Sequence, residues 1–153
     1  MSDLFDEGAL RAVAGSIDTW LTDLRAANPV IEAVDRGEGD ELRWYVRMRG
    51  EAKEFTTVWL TLGQRTLRYE TYVMPAPEEQ AAELYEHLLR RNDRLVGAHY
   101  SIGIEDAIFL RGELALSALT EPELDRVLGT LYAQVEQDFP ALIRIGFPRF
   151  FRS

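Results

Sequence analysis

Between residues 42 and 72 apolar and polar positions alternate with period two; on either side they recur at helical spacing. Leu42, Trp44, Val46 and Met48 fall on one side of a predicted strand, and Arg43, Tyr45, Arg47 and Arg49 on the other. A second pair of strands follows, joined by Leu62-Gly63-Gln64-Arg65. Gly63 occupies the first central position that a two-residue type II′ turn reserves for positive φ. That turn predicts Leu60 opposite Leu67, Val58 opposite Tyr69 and Thr56 opposite Thr71 on the core side. Phe55, Thr57 and Trp59 then face Tyr72, Glu70 and Arg68 on the other side. Burial requires even positions of residues 42–49 to pair with even positions of the next strand, because a one-residue slip would carry Arg47 into the core. Residues 29–36, closed by Gly37-Glu38-Gly39-Asp40, complete a four-stranded antiparallel meander.

Helical periods flank the meander. Leu10, Val13, Ala14, Ile17, Leu21 and Leu24 form one stripe, ending before Asn28-Pro29. Ala81, Leu84, Tyr85 and Leu88 form a second. There Pro77 is expected in the first turn, Glu78 and Glu79 at the positive end of the dipole, and Asn92 as a left-handed cap. Glu86 and Arg90 make an i,i+4 pair. Thr120-Glu121-Pro122-Glu123 reads as a capping box for a third helix with the stripe Leu124, Val127, Leu128, Leu131 and Val135. Pro140 is expected to stop or bend it. Residues 98–104 and 107–114 read as a hairpin around Glu105-Asp106. The apolar tail, residues 143–151, is expected to be buried against its own domain or across a two-fold homodimer interface. These elements predict one α+β domain over residues 1–153, an antiparallel sheet flanked by helices.

The run TTVWLTLGQRTLRYETYVMPAPE followed by LYEHLLRRN resembles the actinobacterial branch of the YbjN family. The similarity continues through residues 102–110, ELDRVLG at residues 123–129 and Ile145-Gly146-Phe147, and so covers most of the chain. Members are described as sensory-transduction regulators with a type III secretion chaperone-like fold. The resemblance implies that fold and supplies no catalytic residue to carry over, so the expected function is a non-enzymatic binding or regulatory module.

Length and charge narrow the field. A chain of 153 residues can bury about two-thirds of its unfolded surface. A net charge of −9 disfavours non-specific nucleic-acid binding. No apolar run reaches the ~20 residues of a membrane span, and the acidic start lacks the basic region of a secretory signal. Absence of cysteine removes disulfides and thiolate chemistry. A cytoplasmic location with no membrane partner is expected.

Candidate chemistry is sparse. His87 lies four residues after Glu83 on the polar side of its helix, and a surface contact explains that pair better than a metal site. His99 opens a strand. Ser16, Ser101 and Ser117 lack a nucleophile-elbow setting. Gly37-Glu38-Gly39 lacks the third glycine and helix of a phosphate loop. No catalytic residue, metal ligand or cofactor is assigned. One constellation stands out: Arg43, Tyr45, Arg47, Phe55, Trp59, Arg68 and Tyr72, with Thr57 and Glu70, should share the non-core side of the meander. Arginine beside aromatic rings is the composition of an interface centre. The face should be locally basic and bind an unidentified protein, unless the ladder merely stabilises the sheet or a terminal helix covers it. A small-molecule sensor with a pocket between sheet and helices is the alternative.

Overall fold

The computed structural model describes residues 5–151. Residues 1–4, part of the segment read as lacking a secretory signal, lie outside the described residues. The elements in chain order are α1 (Glu7–Ala27), β1 (Ile31–Arg36), β2 (Arg43–Arg49), β3 (Phe55–Leu62), β4 (Thr66–Met74), α2 (Ala81–Asn92), β5 (His99–Ile102), β6 (Ile108–Ala115) and α3 (Glu121–Gly146). The strands form one antiparallel sheet in the order β1-β2-β3-β4-β6-β5. The helices line the core side: α1 on β1, α3 on β3 and β4, and α2 on β5, with α3 touching both of the others. This is an α+β fold.

Burial fixes the β2–β3 register as required, with Trp44, Val46 and Met48 opposite Leu60, Val58 and Thr56. The β3–β4 turn differs from its expected form. Gly63 does not adopt positive φ. The turn centres one residue later, on Gln64-Arg65, with the Gly63 amide donating to the Thr66 carbonyl at 2.9 Å. Leu62 therefore faces Leu67, Leu60 faces Tyr69 and Val58 faces Thr71. The cause lies outside the hairpin. The amides of Phe5 and Leu116 donate to the carbonyls of Gln64 and Arg65, both at 2.9 Å, and these bonds fix the turn peptides. An even shift preserves parity, so both predicted faces survive it.

Tertiary contacts also reset two helix boundaries. α2 begins at Ala81, not at Pro77. The amides of Glu78 and Glu79 both donate to the Gly146 carbonyl (2.9 and 3.2 Å), so the segment before α2 caps the end of α3 instead of starting a helix. Asn92 does not take a left-handed conformation. Its side-chain amide instead accepts from the Tyr100 amide (2.7 Å) and donates to the Tyr100 carbonyl (3.1 Å), fastening β5 to α2. α3 starts as the capping box predicts, with Thr120 Oγ1 accepting from the Glu123 amide. Pro140 does not stop it; the helix continues to Gly146. An internal proline costs about 3 kcal/mol. Fully burying Leu142 and partly burying Phe139, Ile143 and Ile145 offsets that, at roughly 1.5–3 kcal/mol per fully buried large side chain.

Trp44, Val46, Val58, Leu60, Leu67 and Tyr69 lie in one core with Ile17, Leu21, Leu84, Leu88, Leu128 and Leu131. One carboxylate enters that region. Asp138 is buried and accepts from Arg91 (2.9 Å), Gln134 (2.6 Å) and the Tyr100 hydroxyl, so α2, α3 and β5 meet on it. Burial, then the bond to Asp138, pushes the Tyr100 phenol well above its ordinary range. The tail divides. Ile143, Ile145 and Phe147 pack on the core, whereas Phe150 and Phe151 are exposed, which corrects the expectation that its own domain buries the whole tail.

Candidate functional site

The side of the sheet away from the helices is built by strand alternation. Arg43, Tyr45, Arg47 and Arg49 of β2 pair across to Thr61, Trp59, Thr57 and Phe55 of β3. Trp59 and Thr61 pair on to Glu70 and Arg68 of β4, which face Arg111 and Glu113 of β6; Tyr72 faces Phe109. All seven candidate residues thus share one face. Their rings form a chain across four strands: Tyr45–Trp59 (6.1 Å), Trp59–Phe109 (6.4 Å) and Phe109–Tyr72 (5.7 Å), each edge to face. Phe55 stands apart from this chain, beneath Arg47 at 3.7 Å.

Phe109 and Arg111 complete the face but were not found by sequence reasoning. Phe109 joins Trp59 to Tyr72, which do not pair directly. The alternation of Phe109, Arg111 and Glu113 in β6 was visible. Placing it on this face required knowing that β6 returns beside β4, a pairing across α2 and β5 that no local pattern encodes.

The expected basic character is corrected by the ion pairs. Glu41 meets Arg43 (2.9 Å), Glu32 meets Arg49 (3.0 Å) and Arg47 (3.6 Å), and Glu70 meets Arg111 (2.8 Å) and Arg68 (3.7 Å). Asp35 and Glu113 share the side by register. Five guanidinium groups therefore sit among five carboxylates, and the face is charge-balanced. Its ring faces are also engaged, since Arg43 lies over Trp59 (5.8 Å) and Arg111 over Phe109 (4.3 Å). A platform for stacking nucleotide bases needs open ring faces and surplus positive charge; this surface lacks both.

Strand addition at the sheet edges is obstructed as well. β1 carries a bulge between Ile31 and Ala33, and Arg25 donates to the Glu32 carbonyl at 2.9 Å. On β5, Asn92 already occupies both backbone groups of Tyr100. Broad contact with the face remains. Arg47, Arg49 and Arg68 keep roughly half or more of their side-chain surface exposed there (47%, 64% and 58%).

Grooves elsewhere are open to solvent. One of about 440 Å³ between α1 and β1 is lined by Asp18, Thr22, Arg25, Arg36 and Trp44. Asp18 already accepts from Trp44 Nε1 (2.7 Å) and Arg36 (3.0 Å), so its polar groups satisfy one another. His87 and His99 lie on separate elements, α2 and β5. Among the described residues no three His, Asp or Glu side chains form a metal-holding group. No helix among them is long and apolar enough to cross a membrane.

A family model described as "Putative bacterial sensory transduction regulator" matches residues 14–144, from within α1 nearly to the end of α3. The chain belongs to the YbjN family. It is 40% identical over 102 residues to uncharacterised proteins of Mycobacterium bovis and Mycobacterium tuberculosis, covering 67% of this chain and 56% of each of theirs. An uncharacterised protein of Mycobacterium leprae is 35% identical over 106 residues, covering 69% of this chain and 58% of its own. The chain thus spans a little over half the length of the curated relatives it matches. These mycobacterial relatives accord with an actinobacterial branch of YbjN.

Proposed function

We propose that this YbjN chain is a non-enzymatic regulatory module that holds a protein partner, in a chaperone-like manner, against the helix-free face of its sheet. One observation carries the reading: a face of aromatic rings, half-buried or exposed except for the buried Phe109, threaded by arginines on a sheet whose three helices all pack on the opposite side. Arginine and aromatic residues dominate the energetics of protein interfaces, and a charge-balanced ion-pair lattice can exchange its internal partners for a partner's. The family description as a sensory-transduction regulator supports a regulatory role. A cytoplasmic location is part of this reading.

The non-enzymatic part rests on two features. The histidines are separated, and the buried carboxylate, Asp138, is consumed by three contacts. A second copy of the chain is one candidate partner, because Phe150 and Phe151 stay exposed. The small-molecule alternative finds one setting in the α1–β1 groove, where the polar groups are already paired.

The test is affinity capture from the native host with wild type and an Arg47→Glu/Arg68→Glu variant, each checked for an unchanged melting temperature. The proposal expects a partner that wild type retains and the variant loses. Equal retention by both would remove the face from the account.

A further inference from the structure

α2 has two apolar sides. Leu84 and Leu88 are buried in the core; one step round the helix, Ala82, Tyr85 and Leu89 recur at helical spacing on a side that faces outward. Leu89 is 69% exposed. Beside it runs a groove of about 270 Å³ between α2 and β5, lined by Tyr85, Leu88, Tyr100 and Ile102. Ile102, on the outermost strand of the sheet, is itself 50% exposed. A protruding apolar side chain and an apolar groove thus lie side by side on one patch. Strand-to-strand joining is obstructed here, because Asn92 occupies both backbone groups of Tyr100 (2.7 and 3.1 Å). What this edge offers a partner is side chains.

The charges around the patch have a direction. α2 carries Glu83 and Glu86 in its first half and Arg90 and Arg91 in its second. Arg91 is engaged by the buried Asp138 at 2.9 Å. Glu86 and Arg90 are exposed and pair with each other at 3.0 Å. An exposed pair of this kind is weak, so its members can exchange partners at little cost.

We propose that the α2–β5 patch is the contact between two copies of this chain, joined about a two-fold axis. Such an axis across α2 lays the two helices antiparallel, with their dipoles opposed. Leu89 of each copy enters the groove of the other, and Glu86 of each faces Arg90 of the other. A parallel arrangement would set like charge against like. The exposed tail is less free to serve: Arg149 lies over Phe150 (4.8 Å) and Arg144 over Phe151 (5.2 Å), so guanidinium groups already cover those rings. The contact sits at the β5 edge on the helix side. It leaves the helix-free faces of both copies open, and the pair would engage a partner twice.

The test is sedimentation of the full chain from about 1 to 300 µM in roughly 0.15 M salt, where a Debye length of ~8 Å screens the repulsion between two copies of charge −9. The proposal expects the mass to rise with concentration from 17.5 kDa towards twice that value. Leu89→Arg should weaken association at least about tenfold with an unchanged melting temperature, because this side chain lies outside the core. Glu86→Arg and Arg90→Glu should each weaken it at least about threefold alone. Mixed in equal amounts, those two variants should regain wild-type association, since only a mixed pair restores opposite charges at both contacts. Phe150→Ser/Phe151→Ser and Arg47→Glu/Arg68→Glu should associate as wild type does, which separates this contact from the partner-binding face. A wild type that stays at 17.5 kDa throughout would overturn the proposal. So would undiminished association of Leu89→Arg, a mixture no better than its components, or loss of association in either distant double variant.

Discussion

The helix-covered and helix-free faces of this sheet draw their side chains from the same strands, alternating residue by residue. Trp44 and Tyr45 are chain neighbours, yet Trp44 is buried beneath α1 and hydrogen-bonds Asp18, whereas Tyr45 lies half-buried against Trp59. Val46, Val58, Leu60 and Leu67 are fully buried on one side. Arg47 and Arg68 reach into solvent on the other. The covered face is held by area removed from water, where each large side chain contributes kilocalories. The open face is held by cross-strand pairs and exposed ion pairs, worth tenths to about 1 kcal/mol each. Stability therefore resides mainly on the covered face; on the open face Phe109 is buried, whereas the exposed arginines are free to vary without unfolding the chain.

The largest expected effect breaks the covered face. Leu60→Ala should cost about 2–5 kcal/mol, measured as the urea midpoint at constant slope. Next comes Asp138→Ala, which strands Arg91 and removes the acceptor for Tyr100 and Gln134; about 3 kcal/mol is expected from the same titration. Arg47→Ala, on the open face, should cost less than about 1 kcal/mol. A cost equal to that of Leu60→Ala would erase the distinction between the faces.

The smallest expected effect concerns Lys53, at the boundary between them. Its folded amine titrates near 8, below its unfolded range, so between those values the unfolded chain binds more protons and stability rises with pH. Tyr69, Tyr72, Tyr100 and Tyr132 are shifted upward and act oppositely once phenols of the unfolded chain begin to ionise. The melting temperature should thus rise by about 1–3 °C from pH 8 to pH 9.5 in wild type and fall slightly in Lys53→Met, where only the tyrosines act. A falling curve in wild type would contradict the assignment.

Most of the architecture was legible in the sequence because burial enforces period two in the meander and 3.6 in the helices. Where the sequence misled, a distant partner intervened. Gly63 lost its turn role to backbone bonds from Phe5 and Leu116, and Pro77 lost its helix to the carbonyl of Gly146. Pro140 was read as stopping or bending its helix; it does not stop it, and the apolar residues beyond it keep the helix going to Gly146. At the candidate face all seven residues were legible from alternation. Phe109, Arg111 and Glu113 were not, since all three lie on β6, whose place beside β4 the chain order does not reveal; Glu70 was legible, but its pairing with Arg111 was not.

The most direct test of the account is the affinity of a captured partner for wild type and for Arg47→Glu/Arg68→Glu, measured by calorimetry alongside each protein's melting temperature. The account predicts binding at least about tenfold weaker, a loss of roughly 1.4 kcal/mol, with the melting temperature unchanged within a few degrees. Unchanged affinity, or a loss that follows a fall in melting temperature, would contradict it.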